Sequence, residues 1–183
     1  MIITITGKPG SGKSTMGKML AEKYNLNYYS AGDFFRKRAK EKNMTLKEYS
    51  ILAEKEREHD EATDNWQKEL GEKEDNFVIE GRTGHIFIKN SVKIYLDITK
   101  EAGAKRIMEE KREDEKAMDF SHALHLWEHR FESEKIRYQN YYNLDIHNQT
   151  QYDFVLDTTN LSKEKVFKKL CEFIDGVKKT EKK

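Results

Sequence analysis

The chain has little of what secreted or membrane-bound proteins need. Its 183 residues include one cysteine, Cys171, so no disulfide can form within the chain. Cys171 lies in an amphipathic segment and is predicted to be a core residue on a helix face, not a reactive thiol. No apolar run is long enough to span a bilayer, and no charged leader precedes the strand-like first residues. These absences predict a cytoplasmic protein.

An excess of charge of one sign is also missing. The 34 lysines and arginines nearly balance the 33 aspartates and glutamates, which leaves a formal net charge of +1. Such a chain has no long-range attraction to nucleic acid or to membranes, and neither is predicted as a partner. The chain has one proline, no Pro/Ser-rich linker and no internal repeat, and its length suits a single domain.

Short apolar runs alternate with long amphipathic segments. The runs predict buried parallel strands at residues 2–6, 26–29, 77–79, 92–98 and 152–156. The amphipathic segments predict helices at residues 14–24, 33–41, 46–55, 60–73, 100–113, 120–142 and 163–177. This alternation predicts an α/β three-layer fold with a parallel sheet, in which ligands bind beyond the carboxyl ends of the strands.

The first such end carries a phosphate-binding loop. Residues 7–14 fit the pattern G-x-x-x-x-G-K-[ST] at every fixed position, and they stand between a predicted strand and a predicted helix. Lys13 is predicted to reach the β- and γ-phosphates of ATP, and the Ser14 hydroxyl to ligate Mg²⁺. The predicted ATP-binding residues are Gly7, Lys8, Pro9, Gly10, Ser11, Gly12, Lys13, Ser14 and Thr15. The loop alone does not distinguish a kinase from a switch GTPase or a motor ATPase.

Two further strand ends carry candidate residues for a second substrate. After the second strand, Asp33 and Arg36 are three residues apart, so they share one face of a helix, where an arginine can clasp a phosphate. An N-capping Asp33 ion-paired with Arg36 is the alternative interpretation. The third strand ends in Glu80-Gly81-Arg82, a loose Walker-B arrangement in which Glu80 could orient a water on Mg²⁺.

The longest predicted helix carries an arginine stripe. Arg130, Ser133, Glu134 and Arg137 are spaced to share one face, and two arginines there could close over the phosphates of ATP. A salt-bridged exposed helix is the alternative, since 37% of the chain is charged. On the same helix His122, His125 and His129 are assigned to packing, because no cysteine or suitably spaced acid completes a metal site.

These motifs together resemble the archaeal-type cytidylate kinases, a family of the nucleoside monophosphate kinase group of P-loop proteins. The resemblance rests on the phosphate loop, on Ser30-Ala-Gly-Asp33-Phe-Phe-Arg36, on Glu80-Gly-Arg82 and on residues 130–138, and it extends over nearly the whole chain. Asp60, Asp64 and Gln67 resemble the acidic helix of the family's acceptor-binding region. The predicted acceptor-binding residues are therefore Ser30, Asp33, Arg36, Asp60, Asp64, Gln67, Glu80, Gly81 and Arg82. The predicted catalytic residues are Lys13, Arg82, Arg130 and Arg137.

The resemblance implies a five-stranded sheet of order 2-3-1-4-5 and Mg²⁺-dependent transfer of the γ-phosphoryl group of ATP to CMP or dCMP by a monomer. It also implies a core at about residues 1–32, 76–107 and 143–178, an acceptor-binding insert at 33–75 and a lid at 108–142. The chain departs from the family pattern at Asn65-Trp66, after Arg82 and in the acidic segment 109–115. Another monophosphate or a small metabolite as acceptor, and an ATP-binding assembly factor without kinase activity, are therefore the alternatives.

Overall fold

The structure, a computed structural model, describes residues 1–109 and 117–180. Its centre is a parallel five-stranded sheet of order β2-β3-β1-β4-β5, which confirms the predicted order. The strands are β1 Ile2–Gly7, β2 Asn27–Ser30, β3 Phe77–Glu80, β4 Val92–Asp97 and β5 Phe154–Asp157. All residues of β1 and β3 are buried, as expected for strands covered on both faces.

The helices follow the amphipathic segments closely. They are α1 Lys13–Tyr24, α2 Ala31–Glu41, α3 Leu46–Lys55, α4 Glu58–Lys73, α5 Gly84–Phe87, α6 Lys100–Glu109, α7 Phe120–Tyr142 and α8 Lys163–Thr180. α2 begins two residues before the predicted start, because the Ser30 hydroxyl caps it by accepting a hydrogen bond from the Asp33 amide. The predicted continuation of α6 to Glu113, and most of the acidic segment 109–115, lie outside the described residues.

A helix that was not predicted and a shifted strand start both have local causes. α5 was not predicted, because its four residues are too few to show a helical period. β5 begins at Phe154 and not at Tyr152, because residues 149–151 form a turn of 3-10 helix that is capped by the Asn148 side chain. Both segments sit next to strand ends, where local capping decides the backbone path.

The hydrophobic core has a large part on one sheet face and a smaller part on the other. Side chains of α1 and α8, including Leu20, Leu170 and Ile174, pack against the β1 and β4 residues Ile3 and Ile94. Cys171 belongs to this cluster, as predicted for a core cysteine. On the opposite face the cluster consists of Ile2, Leu70, Phe77, Ile79 and Ile88. Helices on both faces make the predicted three-layer arrangement.

The parallel register brings the functional segments to one edge of the sheet. Ser30 of β2 is paired with Glu80 of β3, and Gly7 of β1 is paired with Leu96 of β4. The phosphate loop, the start of α2 and the segment after β3 therefore leave the sheet side by side.

Helix α7 extends across this edge. Its first half packs on α6 through Ala123 and Trp127, and its second half contacts α3, where the Tyr141 hydroxyl donates to the Ala53 carbonyl at 2.7 Å. The predicted division into core, acceptor-binding insert and lid stays a prediction. None of the helices in residues 1–109 and 117–180 is long and apolar enough to cross a membrane.

A close approach of helices α6 and α7 supports the phosphate loop from outside. The Trp127 indole donates a hydrogen bond to the Pro9 carbonyl at 2.9 Å, and Gly103 of α6 lies against both groups. A Cβ atom at Gly103 would lie 2.8 Å from the Pro9 oxygen and would overlap the Trp127 ring. Only glycine lets α6, α7 and the phosphate loop meet here.

We expect Gly103→Ala to lower the free energy of unfolding by about 1–3 kcal/mol, because the added methyl must displace Trp127 or Pro9. Urea denaturation measures this change. Gly176→Ala in α8 is the matched control, since a Cβ there meets no described atom within 4 Å. The control should be neutral or more stable, by up to about 1 kcal/mol. A Gly103→Ala protein as stable as the control would contradict the proposed packing.

Candidate active site

The phosphate loop connects β1 to α1 and has the backbone that its glycines allow. Gly10 has φ of 73° and Gly12, which precedes the first residue of α1, has φ of 89°. A Cβ at Gly10 would lie 2.5 Å from the Gly103 carbonyl, so this position excludes larger residues. The loop ends at the N-terminus of α1, whose free backbone amides favour an anion.

Lys13 folds back across the loop. Its Nζ donates to the carbonyls of Gly7 and Lys8, both at 2.9 Å. Burial and the neighbouring Arg82 guanidinium hold the pKa of the Lys13 ammonium well below its usual value. A phosphate group beside Lys13 would oppose both effects, because negative charge stabilises the protonated amine.

Glu80 links the phosphate loop to the start of α2. Its Oε1 accepts hydrogen bonds from the Ser14 hydroxyl at 3.1 Å and from the Ser30 hydroxyl at 2.5 Å. The neighbouring positions of β1, β2 and β3 bring these three side chains together. A serine hydroxyl beside a carboxylate is an oxygen donor set of the kind that Mg²⁺ prefers. The residues therefore fit the predicted Mg²⁺ role.

One cavity of about 240 Å³ opens in front of the loop, between α2, α4 and α7. It is lined by the predicted basic residues Lys13, Arg36, Arg82, Arg130 and Arg137. Predicted residues Asp60, Gln67, Glu80 and Gly81 also line it, together with His122, His125 and His129, which were assigned to packing. Sequence motifs from five separate segments thus meet in a single space.

At the centre of these cations lies Glu134, which was not among the predicted site residues. Its carboxylate accepts from Arg82 Nε at 2.6 Å and Arg82 Nη2 at 2.8 Å, and from Arg130 Nε at 3.3 Å. Burial by itself raises the pKa of Glu134, but Arg82 and Arg130 outweigh it and lower that pKa to about 2. Its place on the arginine stripe of α7 was the one sequence signal for a role.

The far end of the cavity holds an ion pair with unused hydrogen-bonding atoms. Arg137 Nη1 donates to Asp60 Oδ1 at 2.9 Å, and both side chains are buried. Arg137 Nε, Asp60 Oδ2 and Gln67 Oε1 are buried and have no hydrogen-bond partner in the part of the chain that the structure describes. Buried polar atoms of this kind are costly unless a ligand or water satisfies them.

Asp64 lies beside the cavity and does not line it. Its Oδ1 accepts from the Thr83 hydroxyl at 2.6 Å and from Gln67 Nε2 at 3.2 Å, and its Oδ2 accepts from the Tyr142 hydroxyl at 2.5 Å. This network fixes the Gln67 amide through its nitrogen, which also donates to the Thr83 hydroxyl at 2.9 Å, and Gln67 lines the cavity. The sequence showed Asp64 as an acid at the right helical spacing, but not the donors that surround it.

Three other predicted residues do not line this cavity. Asp33 is largely exposed and holds Arg36 Nη2 at 2.7 Å, so the predicted ion pair exists while Arg36 lines the cavity. Lys8 Nζ points away to Asp97 at 2.7 Å. Ser11 lines a second cavity of about 300 Å³ on the outer side of the loop, together with Gly12, Thr15 and Arg106.

The family assignment follows from comparison with known proteins. Residues 2–160 match the family model described as the cytidylate kinase-like family. The chain belongs to the cytidylate kinase-like family. A cytidylate kinase of Methanocaldococcus jannaschii is 42% identical over 98% of this chain and 100% of its own length. One from Archaeoglobus fulgidus is 39% identical over 96% of this chain and 95% of its own.

Solved structures support the fold of this cytidylate kinase-like chain. A shikimate kinase from Bacteroides thetaiotaomicron superposes with a TM-score of 0.65 at 20% identity, over 96% of this chain and 98% of that one. An uncharacterized protein from Eubacterium ventriosum gives a TM-score of 0.70 at 21% identity with the same coverage. Family and fold together confirm the predicted class, an ATP-dependent P-loop kinase.

The Asp64 network leads to a stability prediction for the neighbouring tyrosines Tyr141 and Tyr142 of α7. Tyr142→Phe removes a donor to a buried carboxylate, and we expect it to lower the free energy of unfolding by about 1.5–3 kcal/mol. Tyr141→Phe is the matched control, because Tyr141 donates to a neutral carbonyl and should cost about 0.5–1.5 kcal/mol. Urea denaturation of both variants measures the difference. Equal losses would show that the charge of Asp64 contributes nothing to this contact.

Proposed function

We propose that the protein is a cytidylate kinase that transfers the γ-phosphoryl group of ATP to CMP or dCMP, giving ADP and CDP or dCDP. One observation carries this proposal. One cavity joins a phosphate loop at one end to buried hydrogen-bonding atoms at the other that have no partner among the described residues. Phosphoryl transfer requires two phosphates in line, and a nucleotide base fits a recessed polar pocket.

Some basic residues of the cavity bind ATP and others bind the acceptor. Lys13, Arg82 and Arg130 neutralise the β- and γ-phosphates and the charge on the transferring group, and Arg36 and Arg137 serve the acceptor side. The acceptor phosphate oxygen is itself the nucleophile, so the site needs no strong general base. Ser14 and Glu80, which hydrogen-bond to each other, would hold Mg²⁺, Glu80 through a water, and the ion would supply further positive charge at the phosphates.

The acceptor base is read by atoms that lack partners among the described residues. Arg137 Nε offers a donor, and the adjacent Asp60 Oδ2 and the nearby Gln67 Oε1 offer acceptors. Cytosine presents a matching pair, with N3 as an acceptor and the 4-amino group as a donor of two hydrogen bonds. Uracil presents N3–H and O4 instead, which would leave Asp60 unpaired and bring two acceptors together.

Adenine shows the same donor and acceptor pair as cytosine on a larger ring, so AMP is the competing acceptor.

The adenine of the ATP donor, in this proposal, occupies the second cavity beside Arg106. This arginine is fixed by Thr158, whose carbonyl accepts from Nη2 at 2.6 Å. The predicted contacts of Ser30, Asp33, Asp64 and Gly81 with the acceptor stay predictions. Through the Gln67 amide, Asp64 can act on the base without touching it.

The remaining expectations form part of the same proposal. Residues 33–75 form the acceptor-binding insert and residues 108–142 the lid, which excludes water so that ATP is not hydrolysed. The enzyme acts as a monomer without a nucleic-acid partner. The ion pairs that join α7 to the cavity are the contacts on which such closure depends.

The test is a coupled ADP-release assay with Mg-ATP and CMP, dCMP, UMP, AMP, GMP or dTMP as acceptor. We expect CMP and dCMP to stimulate strongly, Lys13→Ala to abolish turnover, and Arg36→Ala to lower kcat/KM for CMP by about 100-fold or more. Lys37→Ala, an exposed cation on the same helix, should leave the rate unchanged. Stimulation by another monophosphate alone would replace the cytosine assignment. ATP turnover with no response to any acceptor would favour an assembly factor.

A second variant tests base reading directly. Asp60→Asn keeps an oxygen for Arg137 and offers an amide N–H where Oδ2 stood, so it should favour the uracil O4. We expect the ratio of kcat/KM for CMP to that for UMP to fall by at least about tenfold. The KM for ATP should stay the same, which serves as an internal control. An unchanged ratio would show that Asp60 does not contact the base.

A further inference from the structure

Glu134 places a negative charge among the basic side chains that a kinase uses to bind phosphate. The side chain is 8% exposed and projects from α7 into the cavity, opposite the phosphate loop. Its two oxygens receive three hydrogen bonds from two arginines, one on α7 itself and one on the segment after β3. A carboxylate here competes with phosphate, so its presence needs a physical reason.

The geometry supplies that reason. Arg82 binds the carboxylate through both Nε and Nη2, which fixes the plane of its guanidinium group. Arg130 donates through Nε to the same Oε1 that accepts from Arg82 Nη2, so one oxygen sets the distance between the two arginines. Two like charges this close would otherwise repel each other, and long side chains would spread over several rotamers.

We propose that Glu134 is a positioning residue that holds Arg82 and Arg130 side by side in the cavity, where the two guanidinium groups act on the transferring phosphoryl group. The proposal rests on the kinase function proposed above and adds a residue to it. Glu134 contacts neither substrate and acts only through the two guanidinium groups. Preorganised donors of this kind stabilise charge that develops in the transition state more than charge in the ground state.

The competing explanation is that Glu134 only ties α7 to the core. A second hydrogen bond to a carboxylate also attaches α7 to the rest of the protein and allows a comparison. In it the Ser133 hydroxyl donates to Glu54 of α3 at 2.5 Å. Glu54 does not line the cavity. Glu54→Gln therefore weakens the attachment of α7 by the same chemical change without altering either arginine, and it is the matched control.

The two explanations predict opposite effects on nucleotide affinity. Removing the negative charge in Glu134→Gln takes away a competitor of phosphate, so the Kd for Mg-ADP should stay the same or fall. The arginines lose their anchor, so kcat with CMP should fall by about 100-fold. A merely structural tie would instead weaken nucleotide binding along with turnover, and Glu54→Gln would show the same pattern.

The experiment measures kcat and KM with Mg-ATP and CMP, the Kd for Mg-ADP by calorimetry and the Tm, for wild type, Glu134→Gln, Glu134→Asp and Glu54→Gln. We expect Glu134→Asp, which restores the charge on a shorter side chain, to recover part of the lost kcat. Glu54→Gln should keep the wild-type kcat. A Glu134→Gln enzyme with a wild-type kcat would overturn the proposal, and so would a loss of kcat matched by weaker Mg-ADP binding or by Glu54→Gln.

Failure of this proposal can be told apart from failure of the kinase assignment. An active wild type with an unaffected Glu134→Gln variant overturns the role of Glu134 alone. If the wild type releases ADP and no monophosphate increases the rate, both the kinase assignment and the role of Glu134 are overturned. If Glu134→Gln fails to fold, its Tm reveals this, and the kcat of Glu134→Asp with its Kd for Mg-ADP decides between the two explanations by the same criteria.

Discussion

Mutual repulsion among five basic side chains around one cavity is the constraint on which the rest of the site depends. A kinase needs these cations when phosphates are bound, yet the folded protein must hold them together beforehand. The structure solves this with carboxylates drawn from different helices, namely Asp33 on α2, Asp60 on α4 and Glu134 on α7. Each neutralises an arginine, and two of them also join separate segments: Asp60 joins α4 to α7, and Glu134 joins α7 to the segment after β3.

The sequence was sufficient to predict those parts of the fold and the site that depend on a fixed spacing of residues along the chain. The phosphate loop, the strand order and nearly all helix positions follow from local patterns and from the family resemblance. The candidate lysine and arginines, which come from four segments, do meet in one cavity, because parallel strands deliver their carboxyl ends to the same edge. Ranges such as α3 and α4 were accurate to within two residues, since a capping box and an amphipathic period mark them.

The rest depended on contacts between residues far apart in the chain, which no local pattern reports. Glu134 and Arg82 are 52 positions apart, and Glu134 by itself looks like one of the many charges on an exposed helix. Asp64 fitted an acceptor-binding pattern, but Thr83 and Tyr142 occupy its oxygens. α5 is too short to have a period, and only its place after β3 accounts for it. In these cases the sequence shows which residue is present, but its role depends on partners that only the folded structure brings close.

Helix α7 contacts both ends of the cavity and connects them. Near its start Trp127 is fixed to the phosphate loop, and near its end Arg137 and Tyr142 are fixed to α4. A helix of this length is stiff, so a shift at the phosphate loop is also a shift at the far end of the cavity. If the donor and the acceptor bind at these two ends, as proposed, any effect of one on the affinity for the other must be the same in both directions by thermodynamic linkage. The path of a single helix thus provides a mechanical connection between the two proposed binding sites.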